Sequence, residues 1–316
     1  MAQPSGGRGR GGEYALPVHA AKPRPHLDIG VLVVLITGLA AVALAGFATV
    51  ASFFETGARP VPPAEPAAEA TADTEQYQAS LARETLRANP LYTSGQLASV
   101  TCPAPALDVD DPVSMEAFLH SVTDCLDKAW SVHFEDSELP FEPPNRIYWY
   151  TSGQSPCGNY PVEGSSAFYC HANKGLYLGV EDIVETSGHI GEAEAYTFLL
   201  SHEYGHHVQG ESGILGQYQQ SRGDSEAAGE RDLWTRRSEL QANCLGGVFL
   251  GSVADSFPIG EDERADVLED AAMRADRGDV HTHGTPANGR MWTEHGMDRM
   301  DPASCNTWEA EEELVD

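Results

Sequence analysis

His202-Glu203-Tyr204-Gly205-His206-His207-Val208-Gln209 holds two histidines four positions apart, with a glutamate directly after the first. On a helix that spacing puts His202 and His206 on one face, a turn apart, so both imidazoles can reach one metal ion. Glu203 lies one step round, where its carboxylate can take a proton from a water at the metal. The stretch before it, Ala193 to Ser201, favours a helix, being rich in Ala, Glu and Leu and free of Pro and Gly. Its run Phe198-Leu199-Leu200 suits a buried helix. HExxH alone is only suggestive, because ordinary helix residues with satisfied histidines read the same way. His207 points to another face and reads as a structural hydrogen-bonding residue.

Downstream, a long helix is expected from about Ser225 to Val253, carrying Glu239 and Asn243 four residues apart on one face. A carboxylate on a separate later helix is the usual third protein ligand of a two-histidine site. Read plainly, Glu239 is a solvated helix residue. Between the two helices, Glu211 to Gly223 reads as a polar loop. Glu261 to Asp276 reads as an acidic helix. In His281-Thr282-His283-Gly284-Thr285-Pro286, Thr285 caps a further helix with Pro286 at its first position. His283 is a candidate donor to a developing oxyanion, or else simply a residue of that turn.

Upstream, Arg146 to Tyr150 reads as a strand, followed by a Gly/Ser/Pro loop that contains Cys157. Ala167 to His171 and Leu176 to Gly179 read as two more strands, with Asn173-Lys174-Gly175 as a hairpin turn. Such a small sheet can lie over the HExxH helix and offer an edge to extended substrate, or merely cover the core. Asp111 is a plausible cap for a helix in which Met115, Phe118, Leu119, Val122, Leu126 and Trp130 recur at three- and four-residue steps. A short amphipathic helix is expected over Tyr77 to Ala88, stopped by Asn89-Pro90.

The formal charge of the 316-residue chain is -29. That surface repels nucleic acid and anionic lipid and makes neither a partner. Residues 1–28 are Gly/Pro/Arg-rich and read as a disordered basic tail. Residues 29–54 carry no charge and are long enough to cross a bilayer as one transmembrane helix. Ala43-Leu44-Ala45 leaves a cleaved signal peptide as the alternative. The basic flank is N-terminal, so the N-terminus is expected in the cytoplasm and the remainder outside. Residues 55–76 form a Pro/Ala/Glu-rich linker, 77–308 an extracytoplasmic domain and 309–316 an acidic tail. Six cysteines without a CxxC pair fit an oxidising compartment better than a cysteine-bound metal. The expected bridges are Cys102–Cys125 and Cys157–Cys170, both local, with Cys244–Cys305 as the remaining pair.

Taken together, Asn89-Pro90-Leu91-Tyr92, Cys157-Gly158, Phe168-Tyr169-Cys170, Tyr177-Leu178, the HEYGHHVQ string, Glu239-Leu240-Gln241-Ala242 and His283-Gly284-Thr285 resemble the putative neutral zinc metallopeptidase family. The resemblance covers roughly Asn89 to Trp292. It implies a mainly helical α+β, zincin-like domain with a small sheet over the HExxH helix. It further implies zinc held by His202, His206 and Glu239, with Glu203 as general base, but says little about substrate; a protein or peptide is the expected one. Asn243 stands where the family tends to have Asp, and it is the candidate acceptor for a ligand histidine's second ring nitrogen. A metal-binding scaffold and a cell-wall peptide amidase stay open as alternatives. Glu203 argues against a purely structural site, which needs no base.

Overall fold

Asp111 accepts from the backbone N–H of Val113, and Pro112 takes the first turn of helix α1 (Pro112–Asp136). The capping oxygen and the proline together satisfy or remove donors that a helix start leaves orphaned. The apolar stripe of α1, from Met115 through Leu126 to Trp130, is essentially fully buried. The computed structural model describes residue 77 and residues 80–316, apart from 162–164, 188–190, 258 and 279–280. The expected tail, transmembrane helix 29–54 and linker lie outside the described residues. No helix among the described residues is long and apolar enough to cross a membrane. Residues 80–87 are helical, and Asn89 then caps a 3-10 turn at Pro90–Tyr92.

The described chain is mainly helical with a small sheet, the α+β class expected. Strand β1 (Asn145–Trp149) is followed by β2 (Gly153–Ser155) and β3 (Gly158–Tyr160), then β4 (Ala167–Cys170) and β5 (Gly175–Gly179). β5 is central and buried along its length, parallel to β1 and antiparallel to β4. Lys174 takes a left-handed conformation, φ 50°, to close the β4–β5 turn.

The expected loop around Cys157 is instead the β2–β3 hairpin. Its strands are short and largely exposed, so no alternation of apolar residues marks them. Trp149, Tyr160, Phe168 and Tyr177 pack as an aromatic cluster beside it. Disulfide Cys157–Cys170 ties the hairpin to β4, and the other two expected bridges are also present.

After α2 (Asp182–Thr186) comes α3 (Ala193–Glu211), which carries the HExxH string. α3 is buried on nearly every side, as a helix at the centre of a fold must be. It packs against α1, β4, α4 (Ile214–Asp224), α5 (Ala228–Val253) and α6 (Glu261–Met273). Helix α4 corrects the polar loop expected over 211–223. Gly213, at φ 80°, turns the chain directly out of α3, and Ile214 and Leu215 bury at once. The remaining residues are polar because they cover the outer face, and polarity alone looks like a loop.

The crossing of α3 and α5 is set by Gly205. A Cβ there would sit 2.9 Å from the carbonyl oxygen of Ala242 and 3.0 Å from its Cα. Only glycine lets the two backbones approach this closely, and the approach brings Glu239 and Asn243 to the histidines. α7 (Pro286–Arg299) crosses α5 in the same manner, where a Cβ on Gly296 would collide with the carbonyl of Cys244. Thr285 caps α7 through Asn288 N–H, with Pro286 at its start.

Residues 309–316, expected as an acidic tail apart from the domain, pack into it. Val315 is fully buried, and Trp292 donates its indole N–H to the carbonyl of Leu314 at 2.7 Å. Arg236 donates to Val315 O at 2.8 Å, and Asn288 to Asp316 O at 2.8 Å. The acidic side chains hid a segment held mainly by its backbone.

Candidate metal centre

His202 and His206, one turn apart on α3, turn their Nε2 atoms toward one carboxylate oxygen of Glu239 on α5. The separations are 3.3 Å for His202 and 3.2 Å for His206. Zinc–nitrogen and zinc–oxygen bonds of about 2.0–2.2 Å at a tetrahedral angle place ligand atoms about 3.3 Å apart. The donor set, two imidazoles and one carboxylate, is therefore spaced as a tetrahedral ion requires. Every cysteine is in a disulfide, so no thiolate competes for that role.

Each imidazole is fixed from behind. His202 Nδ1 lies 2.8 Å from Asn243 Oδ1 and donates there, which turns its Nε2 toward Glu239. His206 Nδ1 lies 2.9 Å from Gln209 Oε1 and is oriented in the same way. Gln209 is fully buried and donates to Ser238 O and Gln241 Oε1. Gln241 in turn donates to Tyr92 Oη and Cys305 O and accepts from Trp308 Nε1. Tyr92 follows Leu91, whose carbonyl lies 2.9 Å from His133 Nε2. The scattered strings Asn89–Tyr92, Gln209 and Glu239–Gln241 thus meet in one network that locks α3 to α5. Reading by single motifs missed Gln209, although its i,i+3 spacing from His206 marks it.

His206 and Glu239 pair as opposite charges, Nε2 to Oε2 at 3.2 Å. Burial pulls the His206 pKa down, but the Glu239 charge and hydrogen bond outweigh it and raise it to about 9. Burial pushes Glu239 up, yet His206 and the hydrogen bonds hold it well below the usual carboxylate range.

Glu203 is buried to 8% exposure and shares the wall of a cleft of about 500 Å³ with His202, Asn243 and His283. Its carboxylate has no hydrogen-bond partner among the described residues. The far walls are Ala167 at the start of edge strand β4 and Met273 and Arg274 at the end of α6. His283 stands at the rim, half exposed, its Nε2 3.8 Å from Glu239. Its turn is built on Asp276, whose carboxylate accepts from the N–H groups of Thr282, His283 and Gly284. No local pattern announced that role, since an isolated Asp in an acidic chain carries no signal.

His207 faces away from the cluster, as its position on the helix implied. Its Nε2 donates to Glu142 O at 2.9 Å, and Tyr169 Oη lies 3.3 Å from Nδ1. Burial lowers its pKa to about 4, so it is a neutral structural group.

The sequence profile of the family described as "Putative neutral zinc metallopeptidase" matches residues 93–308. Among curated proteins, the uncharacterized protein YpfJ of Escherichia coli K12 is 28% identical over 194 residues, 57% of this chain and 66% of that protein. An uncharacterized protein of Mycobacterium tuberculosis H37Rv, Rv2575, is 29% identical over 184 residues, 50% of this chain and 61% of that protein. The chain thus spans less than two thirds of the length of these relatives. No solved structure matches it.

Proposed function

The chain belongs to the putative neutral zinc metallopeptidase family, and from that premise we propose that its zincin-like cleft hydrolyses peptide bonds with zinc held by His202, His206 and Glu239. The observation that carries this reading is the convergence of two Nε2 atoms on one Glu239 oxygen, at 3.2 and 3.3 Å, with Glu203 on the adjoining cleft wall. Zinc bound there supplies a Lewis acid for the substrate carbonyl and makes a water acidic enough to ionise near neutral pH. Glu203 accepts that proton at its carboxylate and delivers it to the leaving amine nitrogen. His283, at the rim, donates to the oxygen on which negative charge develops. Edge strand β4, whose Ala167 lines the cleft, is the side along which an extended substrate segment would lie. Purified protein is expected to cleave denatured protein, lose that activity to a chelator and regain it with zinc. Cleavage untouched by chelation contradicts the reading.

We propose that the domain lies outside the membrane, tethered through residues 29–54. That reading is supported by the absence of charge across 29–54, by the basic residues before it and by three disulfides in the domain. A reporter active only outside the cytoplasm, fused after Gln76, is expected to be active in the membrane fraction. An inactive reporter overturns the orientation.

A further inference from the structure

Hydrolysis as described uses Glu203, His283 and the metal ligands, and it leaves Arg274 unexplained. Arg274 caps the C-terminal end of α6 and lines the same cleft as His202, Glu203, Asn243 and His283. Its Nε is held by Asp270 Oδ2 at 2.6 Å, and Asp270 is itself only 8% exposed. That bond fixes the plane of the guanidinium and occupies one edge. The two Nη groups have no partner among the described residues, and the side chain is 30% exposed.

Among the described residues that line the cleft, Arg274 is the only permanent cation and Glu203 the only carboxylate. Elsewhere the molecule is strongly anionic, with 48 Asp and Glu against 19 Lys and Arg. A peptide lying in the cleft covers the guanidinium and strips water from its free donors. An unpartnered charged donor is costly to bury, so a substrate that brings an acceptor is favoured. A fixed, planar pair of Nη donors matches the two oxygens of a carboxylate better than one carbonyl oxygen.

We propose that Arg274 is a specificity residue that selects peptides presenting a carboxylate beside the reacting bond, either an Asp or Glu side chain or the C-terminus of the chain. The proposal rests on the peptidase reading of the cleft. A basic side chain at that subsite meets the guanidinium head-on and is disfavoured.

Binding to full-length Glu203→Gln protein loaded with zinc tests this without turnover. The probes are labelled peptides of one length: a capped peptide with a central Glu, its capped Gln analogue, the Gln analogue with a free C-terminal carboxylate, and a capped Lys analogue. At least one carboxylate peptide is expected to bind about tenfold or more tighter than the capped Gln analogue, and the Lys analogue more weakly than it. Whichever carboxylate arm gains names the source. Arg274→Gln should abolish the gain while leaving the affinity for the capped Gln peptide near its original value, which also controls for folding. Arg274→Lys, which keeps the charge and loses the fork, should retain part of the gain. Equal affinities for carboxylate and neutral peptides, or a gain that survives Arg274→Gln, overturn the proposal alone. Failure of every peptide to bind overturns the peptidase reading and the proposal with it.

Discussion

Glu203→Gln is expected to keep its zinc and its fold while losing peptide turnover by about 10²–10⁴-fold, the usual value of general-base help. The substitution is nearly isosteric, and the Glu203 carboxylate has no hydrogen bond to break among the described residues. What disappears is the basic oxygen on the cleft wall beside His202. Zinc content and thermal stability should therefore match the wild type, and kcat should carry the loss. A variant that cleaves at the wild-type rate means that the base lies elsewhere, and a variant without metal means that Glu203 supports binding.

Glu239→Ala is expected to lower zinc affinity by more than the roughly 10–100-fold that follows loss of an outer partner, because it removes a ligand. Its pH dependence should change too. In the wild type, a proton must leave His206 before the metal binds, and Glu239 raises that pKa to about 9. Zinc affinity should thus climb with pH until about 9 and then level off. Without Glu239 the main upward influence is gone while burial still pulls down, so the levelling point moves to lower pH. Asn243→Ala leaves His202 Nδ1 without its 2.8 Å acceptor and should fall between the two. Asn243→Asp supplies an anionic acceptor and should tighten zinc. Competition with a chelator across pH measures all four proteins. Affinity unchanged in Glu239→Ala removes it from the ligand set.

The part of the site legible in the sequence is the part fixed by local geometry. His202 and His206 share a face because any helix places i and i+4 together. Glu239 and Asn243 were legible as a pair for the same reason, though the fold alone brings them to the histidines, through the α3–α5 approach at Gly205. Caps at Asp111 and Thr285 were readable because capping is a three-residue event. Residues whose roles depend on distant neighbours were not. Gln209 needs Ser238 and Gln241 to orient it, Asp276 gathers backbone N–H groups, and Arg274 lines the cleft only because α6 packs against α3. Helix α4 and the 309–316 segment were misread because polar composition reports exposure of one face and says nothing of the buried backbone beneath.

X-ray absorption at the zinc edge of the purified wild-type protein reads the ligand set itself. About one zinc per chain is expected, in a shell of nitrogen and oxygen only, near 2.0–2.2 Å, with the outer scattering of two imidazoles. A sulfur shell near 2.3 Å, a single imidazole, or a folded protein that takes up no zinc would contradict it.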